Sequence, residues 1–141
     1  MNLANCKPSE FLMQTYRIKK SVETWLKATD IFNIRKNLPK LTPVTNEMSD
    51  EERAAVFKDN RKRTQEQILK NFSTMLDAVL YDHADKTLEI LALCCFVEPA
   101  EVDNHTIEFY LENVTELLNN KAVIGFFTSL AQLAQMNSAN A

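Results

Sequence analysis

The run Thr87–Val97, TLEILALCCFV, holds nine apolar side chains out of eleven and a single charge, Glu89. A helix that is apolar nearly all round has no face to offer water and must be wrapped by other elements. So short a run fits a buried strand equally well, because periodicity does not separate the two. Its flanks favour helix: Asp85 stands where an N-cap would sit, and Pro99 lies just past the end, where a helix cannot continue. One Gly and four Pro in 141 residues are too few for the turns of a sheet protein. The expectation is an all-α, single-domain bundle of five or six helices around a buried central helix at about 86–97.

The length suits one domain, and 45% hydrophobic with 25% charged residues is ordinary globular composition. No apolar run approaches the roughly 18 residues needed to span a bilayer, and Met1–Lys7 lacks the apolar block of a secretory signal. The expected location is the cytoplasm. Cys6, Cys94 and Cys95 agree with a reducing compartment: the count is odd, adjacent cysteines bridge only with strain, and no Cys/His spacing suits zinc. Cys94 and Cys95 read as small core residues.

The net charge of −3 hides an asymmetry. Residues 1–70 carry 14 Lys/Arg and 9 Asp/Glu, whereas residues 71–141 carry 2 and 10. Such a chain can pair its halves internally, the simpler reading, or stack copies head to tail.

In chain order, Pro8 and Ser9 suit the start of a helix running to about residue 28, with Phe11, Ile18, Val22 and Trp25 at helical spacing. Ile31–Leu38 has room for two short helical turns. Residues 39–48, with two prolines and no periodicity, read as a linker, which leaves 1–38 as a mobile N-terminal segment and 49–136 as the helical core. Ser49 and Glu52 form a capping box. The helix it opens is polar for three turns and then carries the stripe Ile68, Leu69, Phe72, Met75, Leu76, Val79 and Leu80, followed by a connection at Tyr81–Ala84. Asp103 or Asn104 can cap a helix whose Ile107, Tyr110, Leu111, Val114, Leu117 and Leu118 share a face, with Phe109 off it. A last helix, Ala122–Met136, presents Val123, Ile124, Phe127, Leu130 and Leu133 on a broad apolar arc with Phe126 beside it. Gly125, inside that helix, costs about 1 kcal/mol relative to Ala, a cost that close approach of another backbone would explain. Residues 137–141 read as a frayed tail.

Chemical motifs are missing. The chain contains no GxSxG, P-loop, HExxH or dinucleotide fingerprint, and one glycine cannot build a phosphate cradle. The carboxylates of 77–85 and 98–103 lack the calcium-loop and bundle di-metal spacings, and His83 and His105 read as surface residues. The expectation is a non-catalytic protein with no cofactor and no metal.

Three blocks carry a resemblance: PSEFLMQTYRIKKSVETWLKATDI, MLDAVLYDHADKTLEILALCCFVEP and FFTSLAQLA. In content and order they resemble the tail assembly chaperones of siphophages and of prophages in Gram-positive bacteria. The resemblance implies a helical protein, made in the host cytoplasm and absent from the mature virion, that coats the long helical tape measure protein and keeps it soluble. It also implies recruitment of tail tube protein, in many phages through a longer form made by ribosomal frameshifting; a chain ending at Ala141 would fit the short form.

Covering the apolar stripes of such a helix needs grooves lined by adaptable apolar groups. The expected contact residues are Phe11, Trp25, Phe109, Phe126, Phe127, Leu130 and Leu133. Neither nucleic acid nor membrane is an expected partner. The competing reading is a helical nucleic-acid-binding regulator of a phage or mobile element that uses Arg17–Lys20 or Arg61–Arg63, although no aromatic sits among those residues to stack on a base.

Overall fold

The computed structural model describes residues 1–139, and the chain is all-α, with no strand among the described residues. The helices are α1 (Pro8–Thr29), α2 (Ile31–Arg35), α3 (Asp50–Asp77), α4 (Ala84–Cys94), α5 (Ile107–Asn119) and α6 (Lys121–Ala139). A π-helical turn, Ala78–Asp82, prolongs α3, and a 3-10 turn, Pro99–Asn104, precedes α5. The connection expected at Tyr81–Ala84 therefore shrinks to little more than His83, whose N–H donates to the Ala78 carbonyl at 2.9 Å. The tail expected at 137–141 is replaced by helix as far as Ala139; the two residues after it lie outside the described residues.

The chain divides into two compact units: Met1–Thr24 with Asp85–Ala141, and Trp25–Ala84. In the first, α4 ends three residues earlier than the apolar run suggests, and its start at Ala84 places Asp85 inside the helix, not at its cap. The end is a Schellman motif: Val97 N–H donates to the Ala92 carbonyl at 2.9 Å and Phe96 N–H to the Leu93 carbonyl at 3.3 Å. Phe96 takes the left-handed conformation, φ 56°, at a cost of about 1–2 kcal/mol for a residue with a Cβ. Leu93 is 2% exposed, and together with Ala92, Cys95, Tyr110, Leu117 and Val123 it forms the apolar core of this unit.

Polar fastenings surround that core. Gln14, itself buried, donates through Nε2 to the Leu93 carbonyl at 2.6 Å, a second donor to the carbonyl that already accepts from Phe96 N–H at the end of α4. Tyr110 donates its hydroxyl to the Val102 carbonyl at 2.6 Å. Thr106 caps α5 by accepting from Phe109 N–H, whereas Asp103 and Asn104, the expected caps, lie in the 3-10 turn. The first residues form a hook: Asn2 accepts from Ala4 N–H at 2.8 Å, donates to Asn113 at 3.4 Å, and is 2% exposed, next to buried Leu3.

The second unit is built the other way round. Its long helix α3 opens with the expected capping box, Glu52 N–H to Ser49 Oγ at 3.1 Å and Ser49 N–H to the Glu52 carboxylate at 3.4 Å. Along α3, Asn60, Thr64, Gln67, Asn71 and Ala78 recur at spacings of three, four and seven and are covered or half-covered. Residues 37–42, which straddle the start of the linker expected at 39–48, run as a strap on this polar face. Asn60 grips the Thr42 backbone twice, its carbonyl oxygen accepting from Thr42 N–H and its amide donating to the Thr42 carbonyl, both at 2.9 Å. Asn71 donates to the Asn37 carbonyl at 3.0 Å and Arg63 to the Lys40 carbonyl at 3.2 Å. Most of the predicted apolar stripe is left outside: Ile68, Leu69, Phe72, Leu76 and Leu80 are exposed, whereas Met75 and Val79 are half-covered.

Candidate functional site

Of the seven expected contact residues, Phe11, Phe126 and Phe127 come together. Phe11 on α1 meets Phe126 edge-on at 5.4 Å and Phe127 at 6.2 Å, and the two α6 rings are themselves 5.4 Å apart. Offset and edge-on pairs of this kind contribute about 0.5–1.5 kcal/mol beyond area burial. The cluster forms because α6 places Phe126 and Phe127 on neighbouring sides of one turn, so that Phe11 reaches both.

Two apolar cavities flank the first turns of α6. One, about 400 Å³, is lined chiefly by Ile18, Val22, Leu117, Leu118, Ile124 and Phe127. The other, about 480 Å³, is lined chiefly by Phe11, Leu12, Pro8, Ala122 and Phe126. Leu3 and Val123 line both. The hydroxyl of Thr15, which lines the first cavity, is buried without a hydrogen-bond partner among the described residues. Farther along α6, Leu130, Leu133 and Met136 are exposed, and residues 122–136 contain no charged side chain. A helix of that composition is poorly suited to standing in water alone.

The remaining expected residues lie elsewhere. Phe109 stacks on His105 with ring centroids 4.2 Å apart and meets Tyr110 edge-on at 5.2 Å, so it is half-covered within its own unit and away from the α6 cluster. Trp25 is half-buried and belongs to the second unit. Gly125 departs from the reason offered for it: a Cβ there would meet nothing within 4 Å, so no backbone of this chain approaches it. The hook residue Leu3 was missed by sequence reasoning. An apolar residue two positions from Met1 and outside any periodic segment leaves no pattern to find.

The electrostatics are quiet. Among the described residues no group of three His, Cys, Asp or Glu side chains could hold a metal ion. Burial pushes the Cys95 thiol up to about 11 and raises that of Cys94, which keeps both protonated and unreactive. The charge asymmetry read along the chain largely dissolves on folding, because α1 brings its basic residues into the unit that holds the acidic half. That unit carries six Lys/Arg and ten Asp/Glu, and the other carries ten and nine. Arg17 grips Glu98 with two contacts of 3.1 Å, an internal pairing across 81 positions of sequence. Lys19 pairs with Glu23, and Arg63 with Asp59.

No protein-family model, no characterised protein and no solved structure matches the chain in comparisons of sequence and fold. Among the described residues no helix is long and apolar enough to cross a membrane.

Proposed function

We propose that this chain is a non-catalytic tail assembly chaperone, made in the cytoplasm of a bacterial host, that binds the helical tape measure protein of a phage tail and keeps it soluble while tail tube protein is recruited. The observation that carries the reading is the α6 face: an aromatic cluster between two apolar cavities, continued by exposed Leu130, Leu133 and Met136 along a stretch, residues 122–136, without a charged side chain. Apolar grooves beside a helix are how proteins take up amphipathic helices through anchors at i, i+3, i+4 and i+7. Gly125, with open space where a Cβ would be, lets a partner helix come close at that point.

The regulator reading draws less support. Arg17, Lys19 and Arg63, three of its basic candidates, are already paired with carboxylates, which leaves fewer charges to release counterions from a phosphate backbone.

The test is co-expression with a tape measure protein, sought as a very long helical reading frame beside the gene, followed by capture on this chain. The combined variant Phe126→Ala, Leu130→Ala, Leu133→Ala should keep its helical circular dichroism and lose the captured protein. Gly125→Ala is the sharper probe: it should stabilise the chaperone by about 1 kcal/mol, since the site is helical and empty, yet weaken capture. Undiminished capture by both variants would remove α6 as the binding face.

A further inference from the structure

The α3 stripe is an amphipathic helix face that the second unit leaves in water. The strap covers the polar face through Asn60 and Asn71, while Leu69 and Phe72 are 68% and 56% exposed, with Ile68 and Leu80 beside them. The stripe runs from Ile68 to Leu80, about 18 Å at 1.5 Å per residue. Its two ends differ in charge. Arg61 and Lys62 precede it, whereas Asp77 lies near its far end and Asp82 follows it.

We propose that this stripe is an interface between two copies of the chain, paired antiparallel about Phe72. An antiparallel pair centred there sets Phe72 against Phe72 and Ile68 against Leu76 of the second copy, each four positions from the centre. The same antiparallel order turns the end bearing Arg61 and Lys62 toward the end bearing Asp82 of the second copy, in the π-helical turn that prolongs α3, so opposite charges approach at both ends. A parallel pair would place like charges together and align the helix dipoles unfavourably. The contact is isologous, as a closed dimer requires, because one patch serves both copies. A single helix pair of this length falls short of the roughly 800 Å² per partner of a standard interface, so the dimer is reversible and its population depends on concentration. This surface is separate from the α6 face and does not depend on the partner proposed for it.

The experiment is sedimentation velocity of the full chain over a concentration series. The expected result is a rise from one chain to two, with no higher species. Phe72→Glu, and separately Ile68→Lys, should leave a monomer at concentrations where the unaltered chain is dimeric, with unchanged circular dichroism. Lys62→Glu should raise the dissociation constant about tenfold, the scale of a charge pair turned repulsive. Adding Asp82→Lys to that variant should restore it. A chain that stays monomeric throughout the series, or that dimerises equally well as Phe72→Glu, overturns the proposal. So does a fall in the thermal midpoint of Phe72→Glu without any change in mass, which would assign the stripe to a contact within one chain.

Discussion

The two units use opposite materials at their covered surfaces. Around α4 and α5 the covered groups are Leu93, Ala92, Leu117 and Val123, and polar groups such as Gln14 serve to close helix ends. Along α3 the covered or half-covered groups include the amides Asn60, Gln67 and Asn71, joined by Met75, Ala78 and Val79 only toward its end, and most of the apolar stripe is left outside. The first unit is held by the hydrophobic effect with hydrogen bonds trimming it. The second is held to a larger degree by amides gripping a strap, and that strength is limited by what hydrogen bonds contribute net of water. The difference teaches that an apolar stripe identifies a helix and not the face it buries in its own chain.

The sharpest way to break this comparison is Leu93→Ala. Truncating a fully buried Leu should lower stability by about 2–5 kcal/mol, measured by urea unfolding, with the loss centred on protection of α4 and α5 amides in hydrogen exchange. A loss below about 1 kcal/mol would mean that the core of this unit is loosely packed and the contrast is false.

Asn71→Ala should cost less, about 1–2 kcal/mol, because it removes one hydrogen bond to the strap and leaves the Asn37 carbonyl free to find water. Its signature is local: faster exchange at residues 37–42 with α4 and α5 unchanged. If Asn71→Ala were as damaging as Leu93→Ala, the amide side of α3 would have to be doing the work of a core.

How much of this was legible in the sequence follows the same division. The capping box Ser49–Glu52, the breaks after Thr29 and near Asn120, and the half of the α5 face formed by Tyr110, Val114 and Leu117 were readable, because each is a local pattern at fixed spacing; Ile107, Leu111 and Leu118 of the same face are exposed. The aromatic site was half legible: Phe126 and Phe127 are conspicuous in a charge-free helix, but nothing in Phe11 says that it will meet them 115 positions later. The end of α4 was not readable, because its stop is a left-handed Phe96 where Gly or Asn is expected. Nor was the strap. Asn60 and Asn71 look like solvated helix residues, and only the path of a distant, proline-containing segment turns them into clamps.

The smallest effect separates the units by titration. In the first unit the Arg17 guanidinium hydrogen-bonds the Glu98 carboxylate and, by that bond and its charge, holds Glu98 below its usual value of 4.5. A group whose folded pKa is depressed contributes stability that is fully present above the unfolded value and is lost as pH falls through the folded one. The pair is exposed at both ends, so salt weakens it as well. Thermal midpoints of the unaltered chain and of Glu98→Gln should therefore differ slightly at neutral pH and converge in acid, below the usual carboxylate range, or at high salt. The amide clamps of the second unit do not titrate, so the deficit of Asn71→Ala should stay constant over the same range. If the Glu98→Gln difference persisted unchanged into acid, the fastening of α1 to the segment after α4 would come from packing and not from this pair.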